Sequence, residues 1–230
     1  MEDIDKIVEA YISRRVEAEM LMAQVKTFFE KNNRLYPENQ LPIVHSIKAR
    51  TKDPEHLREK VLRKNEEEPD NPITIDNLFN RVTDLAGVRI LHLYNDQFKL
   101  IHNEIMGNVH SGQWVLSEDP VANTWDPETK NYYEKLGLKT EVRETYYTSI
   151  HYVIKPNHYP NCMCCEIQVR TLFEEIWGEI SHAINYPKAT ESVACREQLR
   201  VLAKLASTGS RLADSIFRSY GEYTSENKTR

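Results

Sequence analysis

"CCEIQVRT" (residues 164–171) alternates in steps of two. Glu166, Gln168 and Arg170 fall on one face of an extended chain, and Ile167 and Val169 on the other. The apolar face asks for a core, while the opposite face carries a carboxylate, an amide and a guanidinium in line. A helical pattern begins directly after it, at residue 171. A polar strand face that ends at a helix is a common place for a site in sheet-based enzymes.

"VTDLAGVRI" (82–90) reads as a companion strand. Asp84 stands at its start, and Arg89 is embedded among Val88, Ile90 and Leu91, where a guanidinium needs an anionic partner. A strictly extended strand turns Asp84 and Arg89 to opposite faces. Gly87 between them is expected to carry the bend that reconciles the two. Asp84 is read either as a cap or turn residue or as a hard-cation ligand. On neighbouring strands, Asp84 and Glu166 would form a carboxylate pair suited to Mg²⁺, which takes one or two carboxylates plus phosphate oxygens.

A third strand lies in "RETYYTSIHYVIKP" (143–156), with Tyr147, Ser149 and His151 on one face. Two readings stay open. The face is the solvent side of an amphipathic strand, or Tyr147 offers a ring on which a purine stacks and Ser149 and His151 add hydrogen bonds.

Around these strands the pattern is helical. Apolar residues from Ile4 to Phe29 follow a helical stripe over 4–31. Asp53 as N-cap with Pro54 at the first position predicts a helix to about residue 67. A short helix at 75–82 precedes a strand at 85–94, and 95–108 reads as helix. Residues 109–140 read as loop-rich, followed by strands over 143–155 and 163–169. Helices at 171–185 and 195–219 and a polar tail complete the chain. The expectation is an α+β fold, a mixed β-sheet framed by helices, organised as an N-terminal helical segment (1–42), a central domain (43–187) and a C-terminal helix with its tail (188–230).

"KARTKDPEHLREKVLRK" (48–64) is the basic stretch. On a helix Lys52, His56, Lys60 and Lys64 share a face, with Arg63 close by, and Leu57 and Val61 form a separate apolar stripe. It is either a solvated surface helix or a polyphosphate site in which Arg50 offers a bidentate grip.

Composition sets the limits. The 230 residues are 40% hydrophobic and 28% charged, as in a soluble globular protein. The net charge of −5 disfavours a globally basic nucleic-acid binder but not a local basic site. No apolar run approaches the roughly 20 residues of a membrane helix, and the acidic N-terminus lacks a signal-peptide core, so a cytoplasmic protein is expected. Cys162, Cys164 and Cys165 with His158 invite a zinc reading, but their spacing lacks the usual second pair, which favours small core cysteines. Trp114, Trp125 and Trp177 read as packing residues. Neither a P-loop nor a G-x-G-x-x-G motif is present.

Together these stretches resemble the synthetase domain of the RelA/SpoT family, the alarmone synthetases, over roughly residues 43–187. "RTKDPEHLREK" is similar to the family's basic ATP-binding helix, and "DLAGVRI" to its D-x-x-G-x-R strand. "YTSIHY" resembles its acceptor-stacking loop, "EIQVRT" its E-[IV]-Q-[IVLF]-R-T, and "WGEISHAINY" its W-x-x-[LI]-x-H. With no HD hydrolase pattern before these motifs and no long regulatory C-terminus, a small stand-alone synthetase is expected.

The resemblance implies a nucleotidyltransferase-like mixed sheet. It also implies transfer of pyrophosphate from ATP to the 3′-hydroxyl of GDP or GTP, with release of AMP. Arg50, Lys52, Lys60, Arg63 and Arg89 would hold ATP, with His56 in the same helix motif. Asp84 and Glu166 would hold Mg²⁺, and Glu166 would take the proton of the attacking hydroxyl. Tyr147 would stack the acceptor base, His151 would contact its phosphates, Ser149 would add a hydrogen bond, and Gln168 and Arg170 would support the site.

One position departs from the motif. Where the family has Gly before the stacking Tyr, this chain has Tyr146. Its Cβ limits the backbone, and a second ring is expected to crowd the acceptor pocket. With Lys139 and Arg143 just upstream, the stretch also resembles toxic stand-alone members, some of which modify the 3′-CCA end of tRNA or use adenosine nucleotides. That reading would bring an antitoxin as partner. A catalytically silent nucleotide- or partner-binding module is the third reading. Oligomeric state is left open.

Overall fold

The computed structural model describes residues 4–38, 40–158, 163–186 and 188–228. The elements in chain order are α1 (Ile4–Glu30), β1 (Ser46–Thr51), α2 (Pro54–Glu67), α3 (Leu78–Arg81) and β2 (Ala86–His92). A 3₁₀ turn (Asn95–Gln97) leads into α4 (Phe98–His110). Then come β3 (Trp114–Leu116), β4 (Val121–Thr124), α5 (Pro127–Lys135), β5 (Lys139–Val142), β6 (Ser149–Pro156), β7 (Cys165–Thr171), α6 (Leu172–Asn185) and α7 (Val193–Lys228). The fold is the expected mixed sheet with flanking helices.

Seven strands among the described residues make one sheet in the order β1-β2-β7-β6-β4-β5, with β3 added on β6. The β2–β7 and β4–β5 pairs are parallel, and the other pairs antiparallel. Alternation gives the sheet two different faces. Val88, Ile90, Ile150, Tyr152, Ile167 and Val169 join one core with Ile7, Tyr11, Val25 and Phe29 of α1 and Leu57 and Val61 of α2. The Tyr11 hydroxyl donates to the Lys52 carbonyl (2.7 Å), tying α1 to the β1–α2 junction. The other face is roofed by α6, held from behind by α7.

Register then aligns polar side chains across that second face. Lys48 pairs with Arg89, Arg89 with Gln168, and Gln168 with His151, so four strands form one row. In the next row Arg50 pairs with Gly87, and Gly87 with Glu166.

The N-caps follow local chemistry. Asp53 accepts from the amides of Glu55 and His56, with Pro54 opening α2. At α6 the Thr171 hydroxyl accepts from the Glu174 amide (3.2 Å), and the Glu174 carboxylate accepts from the Thr171 amide (2.7 Å). Asp214 of α7 accepts from the Asn95 side chain and the Asp96 amide, and Phe217 stacks on Tyr94 at 4.3 Å.

Several expectations are corrected. The segment 109–140 holds β3, β4, α5 and β5 rather than loop. Strands of three or four residues are too short to display alternation. The Asp126–Pro127 start of α5, however, repeats the cap signature of α2. β1, a six-residue edge strand at the start of the basic stretch, is not among the expected strands. The third strand starts at Ser149, after a turn over 143–148. α7 continues to Lys228 through the polar tail, where the Thr224 and Ser225 hydroxyls donate back to the carbonyls of Tyr220 and Gly221. On α1, Ile12, Val16 and Met20 are exposed, because the row one step off the core stripe turns away from the sheet. Cys164 and Cys165 are buried free thiols, whereas Cys162 lies outside the described residues. No helix of the described residues is long and apolar enough to cross a membrane.

Burial lifts the Glu174 carboxyl from 4.5 to about 7 against the pull of its Thr171 hydrogen bonds. Because the folded value is the higher one, its contribution to stability is full below about 4.5 and is lost as pH rises through about 7. Glu174→Gln keeps the cap without a titrating group. Wild type should therefore lose stability relative to this variant between pH 5 and pH 8, by on the order of 2–3 kcal/mol in urea unfolding. A pH-independent difference would refute the buried-acid reading.

Candidate active site

A cleft of about 740 Å³ opens between the polar sheet face and α6. Its floor comes from β1, β2 and β7, and its roof from α6. Tyr147 stands at one end, and His182 and Tyr186 line the α6 side. The Tyr186 hydroxyl donates to Glu59 of α2 (2.6 Å), so α6 and α2 are bridged beside the cleft.

One half of the cleft is cationic. Lys52, just past β1, and Lys60, from α2, both donate to Asp84, at 2.7 and 2.8 Å. Burial raises the Asp84 carboxyl, but Lys60 and Lys52 overcome it and leave the group below its ordinary value, hence ionised at neutral pH. Arg50 lines the same space. Arg89 donates to Gln168 (3.3 Å), to both oxygens of Glu175 (2.9 and 3.1 Å) and to Glu179 (3.0 Å). Lys48 reaches Glu175 at 2.7 Å and Glu179 at 3.6 Å. Arg170 lies 3.3 Å from Glu175 without hydrogen-bond alignment. Around the cleft there are thus six cations (Lys48, Arg50, Lys52, Lys60, Arg89, Arg170) and four carboxylates (Asp84, Glu166, Glu175, Glu179). The excess of positive charge favours an anionic visitor.

The other half is built on β6 and β7. Glu166 is 3.1 Å from His151 Nδ1 and accepts from Gln168 Nε2 at 2.7 Å. Burial raises its carboxyl, while the His151 contact lowers it, as does Gln168, and the net value is below the ordinary one despite the nearby Asp84 charge. His151 Nε2 in turn meets the Tyr147 hydroxyl at 3.0 Å. The Arg170 guanidinium lies 5.5 Å from the Tyr147 ring centre, within cation–π range.

The structure therefore brings together Arg50, Lys52, Lys60, Asp84, Arg89, Tyr147, His151, Glu166, Gln168 and Arg170. Five expected residues stand apart. Arg63 is exposed and paired with Glu67 at 3.8 Å. His56 packs edge-on against Tyr186 instead of facing the cleft. Lys139 and Arg143 pair with Glu141, and Arg143 also donates to Asn123. Ser149 is fully buried, its hydroxyl without a partner, so it contributes no accessible group.

Two further readings change. Asp84 and Arg89 share the cleft because Asp84 lies in the turn before β2, so no bend at Gly87 is needed. Gly87 is ordinary strand, and its missing side chain leaves the floor open between Arg50 and Glu166. Lys52 precedes α2, so it joins Lys60 from the end of a strand rather than by helical spacing. Residues missed from the sequence include Lys48, Glu175, Glu179 and Tyr186. Glu175, Glu179, His182 and Tyr186 recur at helical spacing, and Lys48 precedes Arg50 and Lys52 at strand spacing. Both signals were available.

Tyr146 is the one non-glycine residue at positive φ (65°) among those described. The backbone adopts the left-handed conformation a glycine would favour, at a cost of roughly 1–2 kcal/mol. Its ring does not crowd the cleft. It turns into a small apolar cluster with Trp125 (5.1 Å) and Trp177, and Arg200 lies over it at 5.5 Å.

With this geometry in place, the sequence matches the family model described as a region found in RelA / SpoT proteins, over residues 49–191. The chain belongs to the RelA/SpoT family. No curated protein matched the sequence. Among solved structures, the chain is similar to small alarmone synthetase 1 from Bacillus subtilis bound to its product pppGpp. That match has a TM-score of 0.70 at 18% identity, over 93% of this chain and 99% of the other. Small alarmone synthetase 2 from B. subtilis gives 0.63 at 18%, over 91% and 98%. A GTP pyrophosphokinase family protein from Streptococcus pneumoniae gives 0.61 at 19%, over 97% of both chains. The fold is thus that of small alarmone synthetases.

The strain at Tyr146 is testable without any ligand. Tyr146→Ala loses the ring and keeps the unfavourable φ, whereas Tyr146→Gly loses the ring and relieves it. The Gly variant should be the more stable of the two by about 1 kcal/mol in urea unfolding, the reverse of the usual order. Equal stabilities would mean the left-handed turn is not maintained.

Proposed function

We propose that the protein is a Mg²⁺-dependent pyrophosphokinase that transfers the pyrophosphate of ATP to the 3′-hydroxyl of a guanosine nucleotide, GDP or GTP, and releases AMP. One observation carries this reading: a cation cluster fit for a polyphosphate and an aromatic platform fit for a base flank the same pair of carboxylates within one cleft. Membership of the RelA/SpoT family supports it.

Asp84 and Glu166 fit the metal. Both are held ionised, both line the cleft, and both offer hard oxygens, the donor set Mg²⁺ takes together with substrate phosphates. When bound, the ion would neutralise charge building on the transferred group. Arg50, Lys52, Lys60 and Arg89 would bind and orient the donor phosphates, with the lysines turning from Asp84 toward the incoming anion. Glu166, oriented by His151 and Gln168, would accept the proton of the 3′-hydroxyl. Tyr147 would stack the acceptor base and hold that hydroxyl in line. Lys139 and Arg143, the cations of the tRNA reading, lie outside the cleft in exposed pairs with Glu141.

Labelled ATP incubated separately with GDP, GTP, ATP and deacylated tRNA tests the assignment. Label should appear on GDP or GTP. Label on tRNA would replace the acceptor, and no transfer to any of them would leave a nucleotide-binding module. Asp84→Asn and Glu166→Gln should each lower turnover by roughly 100-fold or more while unfolding as cooperatively as wild type. Near-normal turnover in either variant sinks its assignment.

Tyr147 separates acceptor from donor. Tyr147→Ala should lower acceptor kcat/KM by about 5- to 150-fold through lost stacking. Tyr147→Phe keeps the ring but loses the His151 contact, so a smaller drop of about fivefold is expected. ATP affinity by calorimetry should be unchanged in both, yet weakened in Arg50→Ala and Lys52→Ala. Full acceptor efficiency in Tyr147→Ala would remove the stacking role.

A further inference from the structure

Arg170 ends the polar face of β7 beneath α6 and is only 4% exposed. It is pinned on three sides. Its Nη2 donates to Gln168 Oε1 at 3.1 Å, its Nε lies 3.3 Å from the buried Glu175 carboxylate, and its guanidinium packs against the Tyr147 ring. Gln168 passes the constraint to Glu166 (2.7 Å), Glu166 to His151 (3.1 Å), and His151 to the Tyr147 hydroxyl (3.0 Å). The five side chains close a ring that joins the aromatic platform to the carboxylate.

Arg170 has room for this because of one residue in α6. A Cβ on Gly178 would stand 2.6 Å from Arg170 Nη1. Gly178 has ordinary helical backbone, so the requirement is space rather than conformation. Glycine inside a helix is otherwise unfavourable relative to Ala, by about fivefold in the folding equilibrium. A free arginine would swing away from a new methyl group at little cost. This one must give up Gln168, Glu175 or Tyr147 to move.

We infer that Gly178 is a positioning residue: it opens the notch in α6 through which Arg170 holds the Tyr147 platform and, by way of Gln168, the orientation of Glu166. The structural part of this inference stands by itself, and its kinetic part rests on the proposed function.

A double-mutant cycle between Gly178→Ala and Arg170→Ala tests both. In the Arg170→Ala background, Gly178→Ala should raise the folding equilibrium constant in urea by about fivefold, as in an unobstructed helix. In the wild-type background that gain should vanish or reverse. The same gain in both backgrounds would overturn the notch. Should Gly178→Ala alone fail to fold, the double variant should fold, and failure of both would equally overturn it. For transfer, Gly178→Ala should lower acceptor kcat/KM by at least about tenfold, with ATP affinity within about threefold of wild type. It should add no further loss on Arg170→Ala. Wild-type kinetics in Gly178→Ala would overturn the positioning role. Absence of transfer in wild type itself would instead defeat the proposed function, and the stability cycle would then decide the notch.

Discussion

Glu175 is a buried carboxylate that receives Lys48, Arg89 and Arg170, one cation from each of β1, β2 and β7. Those three strands are neighbours in the sheet. A single anion on α6 therefore fastens the helix across the sheet's polar face. An ionised group so enclosed is tolerable only when paired. Burial raises the Glu175 carboxyl, but Lys48, Arg170 and Arg89 overcome it and leave the group below its ordinary value. The cleft, its charge and the placement of Arg170 all follow from that attachment.

The same logic governs the cationic half of the cleft. Lys52 and Lys60 would repel each other were Asp84 not between them. Glu179 is far more exposed than Glu175 yet touches the same Arg89 and Lys48. One anion, Glu175, is thus anchored behind the cleft, while Asp84 and Glu179 line it as shared or exposed ones that an incoming polyphosphate would displace at smaller cost. Under the proposed function, donor affinity would then reflect an exchange of ion pairs rather than the filling of an empty cationic site.

The half built on β6 and β7 depends on backbone as much as on charge. The turn before β6 needs a left-handed residue, and Tyr146 supplies it under strain, anchored by Trp125 and Arg200. This sends Tyr146 away from the cleft and leaves Tyr147 facing it. Tyr146, expected as an obstruction, is instead a link between the turn before β6 and α7, through Arg200.

Much of the site was legible in the sequence. Strand alternation set Glu166, Gln168 and Arg170 on one face, and the cap signature at Asp53–Pro54 located α2 correctly. The resemblance pointed to Arg50, Lys52, Lys60, Arg89 and Tyr147, which the structure gathers around one cleft, and to Arg63, which it leaves outside. The shortest elements were not legible, since β3, β4 and β5 span only three or four residues, too few to establish a period, whereas six-residue β1 does show strand spacing at Lys48 and Arg50. By itself the sequence determined which side chains leave the core, because alternation and capping are local and act within a few residues. Only the tertiary structure decided which of those side chains meet. It buried Ser149, left Arg63 and Lys139 outside, and gathered Lys48, Arg89 and Arg170 on Glu175. Strand order and register join residues more than 80 positions apart, such as Arg89 and Glu175, and no local pattern records that pairing.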